Sequence, residues 1–234
     1  MYKIAAFIEF NEIIRNKILL QKKKVKKKFG KQFYLNHPVH LTLFTLNIKK
    51  ISELKNIYLN KVSKNTRQIS IYVTRAGIFF NDPLTNGHTF FYHIRKTKKI
   101  KEIQLKHLKK INNKINELKN NSNAFKIPIL KKNYKKFGFP FSGKVWIPHT
   151  TIASIKGIKK NDKFVKEFLS SKIKLKSQVN EIKFYKIHND KHEFLFNVKF
   201  ILIPLDADGD ICCVLLVSPV VIYDACVSYN VFHF

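Results

Sequence analysis

Along this chain, apolar positions switch between the two-residue period of strands and the three-to-four-residue period of helices. Residues 2–10 read as an opening strand. From Asn11 the pattern turns helical: Ile14, Ile18, Val25 and Phe29 fall near one face, with Asn11 as a cap and Gly30 as a stop. Phe33 and Tyr34 lead into a second strand that runs to about Leu46. A helix capped by Ser52 follows, with Leu54, Ile57, Tyr58 and Val62 on its buried face. Residues 68–80 and 88–95, rich in Ile, Val, Tyr and Phe, form an antiparallel pair around a loop at 81–87. Helical spacing returns over 100–119 in Ile100, Ile103, Ile111, Ile115 and Leu118.

In the second half, residues 120–145 lose regular period and read as a loop rich in aromatics. A strand is predicted over 147–156 and a short helix near 162–169, the latter burying Phe164, Val165, Phe168 and Leu169. Two further strands, 179–187 and 193–203, flank a tight turn from His188 to His192. Strands paired antiparallel through hairpins, with helices between them, predict an α+β fold.

Two of these strands carry the same motif. His40-Leu41-Thr42 sits in one and His149-Thr150-Thr151 in the other, 109 positions later, each followed by an apolar residue. Side chains two apart on a strand share a face, so each copy presents an imidazole and a hydroxyl together. Two imidazoles facing one phosphodiester form a complete acid–base set. One takes the proton of the attacking oxygen and the other protonates the leaving oxygen. Histidine suits both roles near neutral pH. The hydroxyls of Thr42 and Thr151 are suited to holding non-bridging phosphate oxygens. A single histidine in an apolar strand is ordinarily a hydrogen-bonded core residue; a matched pair with both threonines in register points to catalysis.

These tandem motifs, Pro38-Val39-His40-Leu41-Thr42-Leu43 and Trp146-Ile147-Pro148-His149-Thr150-Thr151-Ile152, resemble those of the 2H phosphoesterases. That superfamily includes 2'-5' RNA ligase and cyclic-nucleotide phosphodiesterase proteins. The first copy departs from the family's usual Pro-His-x-Thr form by setting its proline one residue further from the histidine. The resemblance implies a bilobal fold with a pseudo-twofold axis, two antiparallel sheets with flanking helices, and both motifs lining a central cleft. It covers residues 1–205, leaving 206–234 as an acidic and apolar C-terminal extension.

Charge adds a partner class. The 234 residues carry a net charge of +30, and Lys22–Lys28 alone holds six lysines. A surface this basic attracts polyanions, of which RNA is the one that the motif chemistry selects. Phe139 and Trp146, ahead of the second motif, are candidates for stacking on a base, and Phe141 stands with them. No cofactor and no obligate metal are called for. The His188-x-x-x-His192 spacing has no cysteine nearby and belongs to a turn, so zinc is not expected there. His37, His88, His93, His107 and His233 form no constellation in the sequence.

Residues 206–234 hold four Asp, no Lys or Arg, and all three cysteines, Cys212, Cys213 and Cys226. Asp206, Asp208 and Asp210 share the opening spacing of a calcium loop but lack its closing Glu, so no calcium site is expected. The apolar run 211–223 contains Pro219 and is too short to span a bilayer. Without a signal peptide, and with no cysteine before position 212, the expected location is the cytoplasm. The expected activity is metal-independent hydrolysis of 2',3'-cyclic phosphate ends of RNA to 2'-phosphates. Cleavage of 2',5' linkages or 2'-5' RNA ligation is the alternative chemistry, and a non-catalytic basic RNA-binding protein is the alternative class. Oligomeric state and natural substrate are not legible.

Overall fold

The computed structural model describes residues 1–59, 68–82, 84–112, 127–188 and 191–199. Two four-stranded antiparallel sheets form its body. The elements run β1 (Tyr2–Glu9), α1 (Glu12–Phe29), β2 (His40–Ile48), α2 (Ile51–Leu59), β3 (Ile69–Asp82), β4 (Gly87–Ile94), α3 (Lys98–Asn112) and α4 (Pro128–Phe137). After one 3-10 turn at Gly143–Val145 come β5 (His149–Ile155), α5 (Lys163–Ser170), β6 (Lys172–Val179), β7 (Glu181–His188) and β8 (Lys191–Lys199). The first sheet has the order β2-β1-β7-β8 and the second β5-β4-β3-β6. In each, the motif strand is an edge strand paired with the strand that precedes it in the chain, and β2 and β5 approach each other across the molecule.

The helices cross between the sheets. Helix α1 leaves the first sheet and packs on β5 and β6 of the second, while α3 leaves the second and packs on β2 of the first. Asn11 starts α1 as a true cap, its Oδ1 accepting from the Ile14 N–H at 3.2 Å, and its own N–H donates to Ser177 Oγ on β6. Gly30 ends the helix at φ 68°, a conformation that costs glycine nothing. Each sheet is thus covered by a helix that the other sheet's strands deliver, which ties the two halves together.

One feature of both motif strands decides where the histidines point. In β2, Phe44, Leu46 and Ile48 are buried in the core, and strict alternation would send Thr42 and His40 to that same face. The ladder instead shifts by one residue between Ala6 and Phe7 of β1: Ala6 faces Phe44, and Phe7 faces Thr42. Leu43 is the extra residue of a β-bulge that turns the strand over. The second sheet repeats this. Phe90 faces Ala153, Phe91 faces Thr151, and Ile152 is the extra residue. The buried side chain of Gln104 on α3 donates to the Leu43 carbonyl at 2.9 Å, so the bulge's backbone has a partner.

The expected architecture is observed: α+β, two lobes, two antiparallel sheets with flanking helices. Three expectations need correction. Residues 120–145 are not all loop: Pro128 opens α4 at its first turn, where a missing N–H is harmless, and Gly138 closes it in the left-handed conformation. Strand β6 occupies Lys172–Val179, where lysines on the exposed face hide the alternation of Ile173, Ser177 and Val179 inward. Helix α2 opens at Ile51, ahead of the expected cap Ser52. Val62, Ile115, Leu118, His233, the three cysteines and the 206–234 extension lie outside the described residues.

Candidate active site

The two histidines occupy equivalent places. His40 begins β2 and His149 begins β5; in each, ring Nδ1 lies 2.7 Å from the carbonyl oxygen two residues upstream, Pro38 O and Ile147 O. A carbonyl accepts only, so Nδ1 carries the hydrogen and Nε2 is left as the reactive nitrogen on both rings. Each ring rests on an aromatic of the neighbouring strand. His40 stacks on Phe7 at 3.7 Å between centroids and 19° between planes, and His149 lies 5.0 Å from Phe91. Phe7 is cross-strand from Thr42, and Phe91 from Thr151. Each half-site is therefore one histidine, one threonine and one phenylalanine, and the two bulges put all three on one face. Both threonines are half-buried, and among the described residues neither hydroxyl is committed to a protein acceptor.

The surroundings differ. In the first half-site His192 of β8 lies 5.9 Å from His40 and 5.5 Å from Phe7, and His37 lies 4.6 Å from His192. Beneath them the ammonium of Lys22, only 4% exposed, donates to the carbonyls of Tyr34 and His37, each at 2.7 Å. Burial lowers this lysine to about 8. Burial also drives His40 down to about 3; the Pro38 carbonyl opposes this, and the charges of His192, Lys22 and His37 reinforce it. Cross-strand from His40 stands Glu9, which accepts from the Tyr185 hydroxyl and from Lys183 Nζ at 2.8 Å.

In the second half-site His149 meets Phe79 edge-on at 5.2 Å and faces His93 across the ladder. Burial lowers His149 as well, opposed by the Ile147 carbonyl and by the negative charge of Asp82. His93 is held low by burial, by Arg75 and by His149. Among the described residues no lysine charge bears on His149 as Lys22 does on His40. The two imidazoles thus have unequal surroundings: Lys22 disfavours a proton on His40, and Asp82 favours one on His149.

Several residues here were not legible as a set. His37 and His93, isolated in the sequence, flank the two motif histidines, and Glu9, Lys22, Tyr185 and His192 join them through the fold. The His188-x-x-x-His192 pair does not share a site, because His192 faces Ile187 and His188 faces Lys191, which puts their rings on opposite faces of the hairpin. Among the described residues no three His, Cys, Asp or Glu side chains are grouped as metal ligands, and no helix is long and apolar enough to cross a membrane. The expected stacking pair is corrected: Trp146 and Phe139 are core residues, 4% and 7% exposed, with their faces packed away from solvent. Phe141, at 44%, keeps an open face. Of the six lysines in 22–28, Lys22 is interior and the others are exposed.

By sequence, neither a family model nor a curated protein matches this chain. Its shape does find solved structures. TT0787 of Thermus thermophilus superimposes with a TM-score of 0.60 at 12% identity, over 85% of this chain and 97% of that one. E. coli LigT in apo form gives 0.54 at 11% identity, over 86% of this chain and 98% of LigT. The chain has the LigT fold. LigT complexed with 3'-AMP matches equally, at 0.54, and a structure described as a phosphoesterase gives 0.50 over 100% of its length. At identities of 10–12% the fold is what is shared.

Proposed function

We propose that this protein is a 2H phosphoesterase that opens 2',3'-cyclic phosphate ends of RNA to 2'-phosphates. One observation carries the reading. Two imidazoles at equivalent positions of facing edge strands each donate Nδ1–H to a carbonyl at 2.7 Å, leaving two reactive Nε2 atoms beside two uncommitted threonine hydroxyls. The LigT fold supports it, as does the 3'-AMP bound by LigT itself, a nucleotide phosphorylated at the position where a cyclic phosphate attaches.

In this reading His40 is the base and His149 the acid. Burial, reinforced by positive neighbours, keeps the proton off His40, while Asp82 helps His149 keep one. A water gives its proton to His40 Nε2 as its oxygen attacks phosphorus. The bond from phosphorus to the 3'-oxygen breaks, and that oxygen takes the proton from His149 Nε2. Thr42 and Thr151 donate to the non-bridging oxygens, where charge grows. The bound phosphate's own negative charge raises both imidazoles toward the working range. The proton chemistry requires no metal. The likeness to LigT favours a second reading, in which the bond broken or made is a 2',5' linkage, at the same two histidines.

The test is an RNA oligomer ending in a 2',3'-cyclic phosphate, incubated with and without EDTA beside His40→Ala and His149→Ala. The expected result is a 2'-phosphate product that survives EDTA. Each variant should be slower by about 10²–10⁴-fold, with RNA affinity barely changed. Cleavage confined to 2',5'-linked oligomers selects the second reading. RNA binding without turnover of either linkage selects a non-catalytic binder.

A further inference from the structure

The two half-sites differ most in what continues outward from each histidine. In the second sheet a single row of cross-strand partners runs across all four strands: His149 faces His93, His93 faces Arg75, and Arg75 faces Lys172. Directly opposed residues of an antiparallel pair project from the same face, so this row lies on the face that carries His149 and Thr151. Arg75 and Lys172 are exposed, and among the described residues neither has a carboxylate partner. With strands about 4.8 Å apart, the row spans about 14 Å from His149. Gly77, two residues along β3, lets the His93 ring of this row lie close over its backbone: a Cβ there would fall 2.7 Å from His93 Nε2. Beside the row, Arg95 lies over Tyr72 at 5.0 Å, and Lys176 lies over the same ring at 5.9 Å.

The first sheet offers no such path. Its row begins with His40 and passes to Glu9, whose charge is neutralised by Lys183 at 2.8 Å; Lys183 also pairs with Glu181 at 3.4 Å. A phosphate leaving the reactive position toward Glu9 meets carboxylates; toward Arg75 it meets cations that have no carboxylate partner among the described residues.

We propose that Arg75, His93 and Lys172 form a second anion subsite, which holds the phosphate next to the reactive one, so that the RNA strand leaves the cleft across the second sheet. This rests on the phosphoesterase reading and adds a consequence to it: the enzyme prefers an oligonucleotide to a mononucleotide. Arg75 supplies a planar fork matched to phosphate oxygens, and Lys172 a point charge beyond it. Tyr72, braced by Arg95 and Lys176, offers a ring beside the emerging base.

The experiment uses the full chain and two double variants that remove equal charge: Arg75→Gln with Lys172→Gln, and Lys26→Gln with Lys27→Gln on exposed α1. Binding of a single-stranded RNA tetramer with a 3'-phosphate, and of adenosine 3'-phosphate alone, is measured across a salt series. The parent should bind the tetramer about tenfold or more tightly than the mononucleotide. The Arg75/Lys172 variant should lose that advantage, with the slope of log affinity against log salt shallower by about 1.4, or 0.7 per contact on a single strand. Its mononucleotide affinity should stay within about twofold. Equal losses on both ligands, or an equal loss from the α1 variant, would overturn the subsite. So would a parent without preference for the tetramer. Turnover of a 2',3'-cyclic mononucleotide, run alongside, fails only if the phosphoesterase reading fails, so the two ideas fall separately.

Discussion

Replacing Gly77 by alanine puts a methyl group where the second half-site has no room. The added Cβ would lie 2.7 Å from Phe91 Cζ, 2.8 Å from Phe91 Cε2 and 2.7 Å from His93 Nε2. Carbon atoms in contact prefer about 3.5–4.0 Å, so the rings must retreat by close to 1 Å. Phe91 has little freedom to do so. It is 2% exposed, stacks on Phe79 at 4.1 Å and lies 5.0 Å from His149 on the other side. Overpacking of this kind costs about 1–3 kcal/mol, and each kcal/mol lowers Tm by about 2–4 °C in a chain of this size. The larger effect falls on the reaction, since a displacement of about 1 Å at a catalytic group costs about 10²-fold in rate. Gly77→Ala should therefore melt about 2–12 °C lower and turn over cyclic phosphate about 10²-fold more slowly. Shrinking the ring in the double variant Gly77→Ala with Phe91→Leu should return part of the lost Tm, because the two changes share one volume. Calorimetry and steady-state kinetics on the three proteins decide it. A Gly77→Ala protein that melts and turns over like its parent would refute the idea that Phe91 and His93 set the position of His149.

Two further outcomes follow from the charges around the site. The acid form of His149 is the one required, so kcat/KM should fall as pH rises through that group. Its proton is held below the ordinary value near 6.5, chiefly by burial, so the alkaline limb should have its midpoint below pH 6.5. The base His40 stays unprotonated down to about 3, so the acid limb lies far lower and the optimum falls on the acid side of neutrality. Asp82→Asn removes a charge that favours protonated His149 and should move the alkaline limb further down. A limb above pH 7.5 contradicts the assignment of roles. Separately, Lys22→Met removes the ammonium that donates to the Tyr34 and His37 carbonyls and leaves Tyr34 O with the His37 N–H at 3.2 Å, at a cost of about 1–3 kcal/mol. Tyr34 sits at φ 68°, unusual for a residue with a ring, and Lys22 ties its carbonyl to α1. The variant should lose about 2–12 °C in a thermal melt and weaken catalysis through the loop that feeds His40. An unchanged melt would mean that the loop holds itself.

The sequence made the half-sites legible through repetition. His40 with Thr42 and His149 with Thr151 stand at matching strand positions, and the period of two alone says that each pair shares a face. The strands β1, β2, β3, β4 and β5, and the helices α1, α3 and α5, were readable from apolar spacing and caps such as Asn11 and Gly30. Strand β6 escaped because its exposed lysines dilute the alternation, and α4 because aromatics and glycines around it imitate a loop.

What the chain could not reveal locally was which face each pair takes. Alternation read outward from Phe44 and Leu46, or from Ala153 and Ile155, points the histidines into the core. One extra residue in each ladder, Leu43 and Ile152, reverses that. A bulge is a relation between two strands, and a single strand's pattern does not contain it. The same holds for the neighbours that make the imidazoles unequal. Lys22, His37 and His192 reach His40 from α1, a loop and β8, while Asp82 reaches His149 from β3. Electrostatic effects depend on distance in space, and only the folded chain sets those distances.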